Sequence, residues 1–200
     1  YFSSPLLAIA LTVIVGGLMF AAMGQPPLRA LYLYFIDPIT NLWSIEEVLV
    51  KATPLILIGV GLAVTFRANV WNIGAEGQLT AGALMGSIIP ILFTSWQSPL
   101  ALFCMLVMGM IGGALLAAIP ALLKVRFGVN EILTSLMLVY IVHLLLDWLV
   151  RGPWKDPFGY NFPKSIGFDD WHLLPTFGDG RVHLGLVIAI IIALILYWVM

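Results

Sequence analysis

The sequence predicts an all-α protein, a polytopic transmembrane helical bundle of about six spans with a broken helix near residues 69–78. Three observations carry that prediction. Of the 200 residues 62% are hydrophobic and only 10% are charged, with a mean hydropathy of +1.06, whereas a soluble domain carries about 25% charged residues. Between Gly77 and Leu123 there is no Asp, Glu, Lys or Arg, a stretch long enough for two helices when one span needs about 20 apolar residues. Runs such as Ile88 to Phe93 and Ile188 to Ile195 do not alternate in polarity, which excludes the strands of a membrane barrel.

Hydropathy divides residues 1–200, read as one membrane domain, into spans at about 5–23, 48–66, 78–93, 100–123, 131–149 and 183–200. The first apolar run exceeds the about 7–15 residues of a signal-peptide core and no small-residue cleavage pattern follows it, so it reads as a span. The chain opens on Tyr1 and closes on Met200 within an apolar run, so a fragment cut at both ends is expected. Only 15 uncharged residues separate Lys51 from Arg67, and likewise Glu131 from Asp147, about 22 Å of helix against a core of about 30 Å. Both spans are therefore expected to be short, a pointer to broken helices beside a transport path. The third and fourth spans join through Thr94 to Pro99 as a tight hairpin, with Gly109, Gly112, Gly113, Ala114, Ala117 and Ala118 as its close-packing residues.

Residues 151–182 form the long loop, with Trp154, Trp171, four aspartates and four prolines, and read as an ordered outer surface. Counting lysines and arginines against a cytoplasmic N-terminus opposes the positive-inside rule, although Lys124-Val125-Arg126 makes a compact cytoplasmic marker.

The candidate site begins with Asn69-Val-Trp-Asn-Ile-Gly-Ala-Glu-Gly-Gln78, a polar break between membrane-grade apolar runs. An ionisable residue at bilayer depth costs about 2.5–3.5 kcal/mol on insertion scales, so Glu76 is expected to face a bundle interior or a water-filled path. If the chain turns helical near Trp71, Asn72 and Glu76 share one face, with Gly74 and Gln78 on an adjacent one. The alternative is that Glu76 pairs with Arg67 in a turn. A second constellation opens the fifth span: Asn130, Glu131 and Thr134, with Ser135, opposite Tyr140, His143 and Asp147. Asn130 as a helix cap and Glu131 at the positive end of the helix dipole offer a structural account of the same residues. His143 and Asp147, four apart, read as a local ion pair.

Several function classes fall away. A formal net charge of −1 offers no basic field for nucleic acid, and Cys104 is the only cysteine, so no disulfide or cysteine-ligated metal is expected. His172 and His183 lack metal-ligand spacing. There is no phosphate-cradling loop and no nucleophile elbow, so neither catalysis nor a cofactor is expected.

Residues Phe66 to Gln78 resemble the "FNIGAEGQ" segment of ABC-transporter permeases for nucleosides and simple sugars, in the wider group with ribose and branched-chain amino-acid permeases. Gly128 to Tyr140 is similar to the family's "GVNEVISTLMLNYI", with Ser135 where Thr is frequent and Val139 where Asn is frequent, and Arg151 to Gly185 follows its outer loop. The resemblance implies a multi-pass subunit of the bacterial cytoplasmic membrane with its N-terminus inside. It implies a second permease subunit, ABC ATPase subunits that hydrolyse ATP, and an extracytoplasmic solute-binding protein as partners, with lipid around it and no nucleic acid. The expected function is import of a nucleoside, purine-type or related, by alternating access, with Asn72, Gly74, Glu76, Gln78, Asn130, Glu131 and Thr134 along the solute path. A simple sugar or a branched-chain amino acid is the second choice of solute. A proton-coupled carrier using Glu76, Glu131, His143 and Asp147, and a structural scaffold, are the competing classes.

Overall fold

The computed structural model describes residues 3–200. Seven α-helices follow in order: α1 Ser3–Ala22, α2 Pro27–Phe35, α3 Leu42–Arg67, α4 Ala75–Leu92, α5 Pro99–Phe127, α6 Glu131–Arg151 and α7 Gly185–Val199, with short 3-10 turns at Asp37–Ile39 and Asp170–His172. No strand occurs among the described residues; a lone bridge joins Thr176 to His183. The helical bundle that the sequence predicts is the fold. Helices Ser4–Ala22, Leu42–Arg67, Pro99–Phe127 and Glu131–Arg151 are long and apolar enough to cross a membrane, while α4 has 18 residues and α7 has 15.

The chain divides into two compact units, one of residues 1–55 with 176–189 and one of residues 56–175 with 190–200. In the first unit α1 turns back through Gly24, at φ 74°, and Pro27 opens α2 in the first turn, where its missing N–H costs nothing. Leu31 then packs over Gly17. Near the N-terminus of α3, Glu46 accepts a hydrogen bond from the Arg181 backbone N–H at 3.1 Å, and Glu47 pairs with the Arg181 guanidinium.

The second unit is organised around α4, which packs on α5 and α6. The α4–α5 hairpin is close because glycines face backbone: a Cβ on Gly82 would lie 2.8 Å from the Gly109 carbonyl oxygen, and one on Gly112 would lie 2.8 Å from that of Ala81. This is the small-residue packing expected in lipid, where the hydrophobic effect between helices is absent. Ser98 caps α5 by accepting from the Leu100 N–H at 3.3 Å, with Pro99 in the first turn. Gly128, at φ 67°, ends α5 in the left-handed region with its N–H on the Lys124 carbonyl, and Asn130 caps α6 two residues on.

The expectation of two short spans is corrected. Helix α3 runs 26 residues, straight through Lys51 and past Glu46 and Glu47, and α6 runs 21 residues, through Asp147 to Arg151. Charges at helix ends do not end a helix, because a long side chain carries its charge toward the interface while the backbone bonds continue.

Candidate functional site: a cavity around the break before α4

The break is narrower than the sequence suggests. After Arg67 the chain turns at Asn69, a non-glycine residue at φ 56°, and only at Ala75 does the next helix begin. Asn72 therefore lies outside the helix, and the expected Asn72–Glu76 helical face does not form. Instead Asn72 and Gln78 make a reciprocal amide pair: Asn72 Nδ2 donates to Gln78 Oε1 at 3.0 Å and Gln78 Nε2 donates to Asn72 Oδ1 at 3.1 Å. Asn72 Oδ1 also accepts from the Gly74 N–H at 3.0 Å, which holds the break against the start of α4.

Glu76 faces away from this pair. Its side chain is 72% exposed, and its Oε1 lies 3.5 Å from His143 Nε2 on α6. The alternative pairing of Glu76 and the expected pairing of His143 are both replaced: Glu76 meets His143 rather than Arg67, and Asp147 pairs with Arg151 at 2.6 Å rather than with His143. Spacing four apart permits a pair, but the neighbouring helix offered His143 a carboxylate from across the contact.

The second constellation is divided in the same way. Glu131 pairs with Lys124 across the Gly128 turn. Asn130 is spent on capping, accepting from the Ile132 N–H at 2.9 Å, and Thr134 donates to the Asn130 carbonyl at 3.1 Å. Ser135, only 2% exposed, is pressed against Gly74, where an added Cβ would meet the Ser135 Cβ at 2.9 Å.

One cavity of about 290 Å³ collects Asn72, Gln78 and Glu131 with Thr65, Val70, Pro120, Lys124 and Ser135 among its walls. Of the residues expected along a solute path, Gly74 shapes the wall through Ser135, while Glu76, Asn130 and Thr134 stand outside it. Thr65 escaped the sequence reading, and Lys124 entered it only as a marker of the cytoplasmic side; the signal for its place here was its position seven residues before Glu131 across a three-residue turn. The lysine and glutamate neutralise each other, and the wall that the cavity presents is almost wholly apolar, with the Asn72–Gln78 amides at one side of it. Among the described residues no group of three or more His, Cys, Asp or Glu is placed to hold a metal ion.

Apolar helices long enough to span, a non-helical interruption just before α4 and a cavity beside it fit a multi-pass membrane protein of the solute-permease class. The chain belongs to the family described as branched-chain amino acid transport system / permease component, which matches residues 44–200. Its relatives include the glucose ABC transporter permease protein TsgB13 of Haloferax volcanii, 35% identical across 100% of this chain and 55% of that protein. The nucleoside ABC transporter permease protein NupB of Lactococcus lactis is 29% identical over 74% of this chain and 41% of its own length. The guanosine ABC transporter permease protein NupP of Bacillus subtilis is 27% identical over 98% and 56% respectively. The chain spans about half the length of these curated relatives. The resemblance to ABC permeases of the nucleoside and simple-sugar type thus rests on relatives of both kinds. No solved structure matches the chain.

Proposed function

We propose that the chain forms part of the permease of an ATP-driven ABC importer that carries a nucleoside across the bacterial cytoplasmic membrane by alternating access. The observation that carries this reading is the cavity before α4, whose amides face a space with its charges already paired. A second space of about 350 Å³ adjoins it, walled by Leu57, Ile58, Leu62 and Leu79. Two mainly apolar spaces that share an amide pair suit a flat heterocyclic solute carrying a few hydrogen-bonding groups. Asn72, Gln78 and Glu131 are the residues proposed to meet solute, with Gly74 shaping the wall.

ATP hydrolysis is assigned to separate ATPase subunits, delivery to an extracytoplasmic binding protein, and completion of the path to a second permease subunit. The N-terminus is placed in the cytoplasm and the loop 151–182 outside. A simple sugar is the second reading, favoured by the 35% identity to a glucose permease.

Uptake of labelled guanosine by cells producing the complete transporter tests the proposal. Unlabelled guanosine and adenosine are expected to compete, and leucine is not. Competition by glucose without competition by guanosine moves the assignment to sugars. Uptake that survives ATP depletion and collapses with the proton gradient overturns the ATP-driven reading altogether.

A further inference from the structure

The two spaces beside the break share four residues: Thr65, Asn72, Gln78 and Ala117. The reciprocal amide pair therefore stands in the wall between them. We infer that the Asn72–Gln78 pair is the partition of a two-chamber solute site, opened by a solute that carries a hydrogen-bond donor and an acceptor on neighbouring atoms. The inference rests on the proposed transport function and names the feature of the solute that the site reads.

The chemistry of the pair supports that role. Each amide donates one N–H to the other's carbonyl, which is the pattern that an amide makes with a lactam edge or with two adjacent hydroxyls. Opening the pair frees two N–H donors and two carbonyls, of which Asn72 Oδ1 keeps the Gly74 N–H. A lactam N–H can meet Gln78 Oε1 and the two lone pairs of its carbonyl can meet both amide N–H groups, while two adjacent hydroxyls supply two donors and two acceptors. A solute lacking the donor and acceptor leaves two amides unpaired, the larger penalty in recognition. Neutral hydrogen bonds are weak in net terms, so two of them hold a closed partition that binding can still displace.

The mounting of the two side chains also suits a movable divider. Gln78 is carried by α4, whose seat against α5 and α6 is close. Asn72 sits in the non-helical stretch after Asn69, where a change of backbone angle breaks no helix. Residues that absorb such angle changes are found at element ends of this kind. Thr65 donates to the Leu62 carbonyl at 2.9 Å and Ser135 to that of Ile132 at 3.2 Å, so their oxygens remain free only as acceptors. The pair's spare amide hydrogens, and the Lys124–Glu131 pair whose two charges cancel, leave a zwitterion or an anion without a matching excess charge.

Two measurements on the complete transporter test this. The first is the half-saturation concentration for uptake with the near-isosteric Asn72→Leu and Gln78→Leu variants and with the swapped double variant Asn72→Gln, Gln78→Asn. Each leucine variant is expected to raise the value for guanosine about tenfold at unchanged membrane abundance, and the swap to restore it to within about threefold. Competition by glucose, which offers only adjacent hydroxyls, and by 2′,3′-dideoxyguanosine, which offers only the lactam edge, tells which part of the solute meets the amides. The second measurement needs no transport. With Cys104→Ala as background, a membrane-impermeant maleimide applied from one side is expected to label either Val70→Cys or Leu62→Cys but not both, and to label both once Asn72→Ala and Gln78→Ala are added. Unchanged half-saturation together with unchanged labelling overturns the partition. Altered labelling in a protein that takes up neither nucleoside nor sugar upholds the partition and overturns the functional reading.

Discussion

Gly77 shows how far a single residue without a side chain can set the site. A Cβ there would lie 2.9 Å from the Val139 Cα, a backbone atom that cannot turn aside, and the Gly74 contact with Ser135 repeats the arrangement one turn earlier. What approaches both glycines is α6. Val139, standing where its family often has Asn, is 6% exposed and buried against Gly77, so the change removes no polar group from the cavity wall. Gly77→Ala is therefore expected to lower the stability of the detergent-solubilised protein by about 1–3 kcal/mol, the usual cost of overpacking. Gly59, with nothing within 4 Å of an added Cβ, is the control: Gly59→Ala should leave stability unchanged or raise it by up to about 1 kcal/mol through helix propensity. Equal thermal midpoints for the two variants would contradict the packing argument.

Among the elements, the apolar helices were legible, the 15-residue α7 included, and the short polar one was not. Helix α2 escaped notice because nine residues carrying Arg29 are too short and too polar to register as a span. The loop after α6 reads in sequence only as an ordered surface, yet it has a specific clasp. The Asp156 carboxylate accepts from the Phe158 N–H at 2.9 Å and lies 3.2 Å from Lys164 Nζ, while the Asp156 N–H donates to the Lys164 carbonyl at 2.8 Å. The Phe158 N–H, followed by Lys164, holds the carboxyl below the ordinary aspartate value of 3.8. Because the folded value is depressed, the clasp's contribution is present above pH 3.8 and is lost as pH falls through the lower folded value. NMR of the Asp156 carboxyl should give a titration midpoint below 3.8, with the Phe158 amide shift following it and Asp156→Asn abolishing both. A midpoint at or above 3.8 would show that the clasp does not form.

At the scale of the whole molecule the surface is the informative part. The buried apolar set is small, with Leu84, Ile89, Ala101, Val139, Val142 and Ala189 as members, while leucines, isoleucines and aromatics along α1, α5 and α6 stand open. Soluble proteins rarely leave such continuous apolar surface uncovered, because apolar burial is what drives their folding. In a bilayer the lipid covers it, and close helix packing at glycines does the work of the missing core. The chain is expected to stay in the membrane pellet through an alkaline carbonate wash and to enter solution only with detergent. Release by carbonate alone would be incompatible with spanning helices.

By itself, the amino-acid order determined the class of protein, its helical character, the break near α4 and the family signature around it. Those properties are local: hydropathy sums along the chain, a backbone in lipid must satisfy its own hydrogen bonds, and glycines next to polar residues interrupt a helix wherever the fold places them. Which residues make the site was decided only by tertiary structure. Helix α4 begins at Ala75 rather than near Trp71, with Gly74 and Gly77 seated against α6, so Asn72 lies outside the helix and the expected face with Glu76 loses a member. That shift joined Asn72 to Gln78, sent Glu76 to His143, and left the cavity with its amide pair.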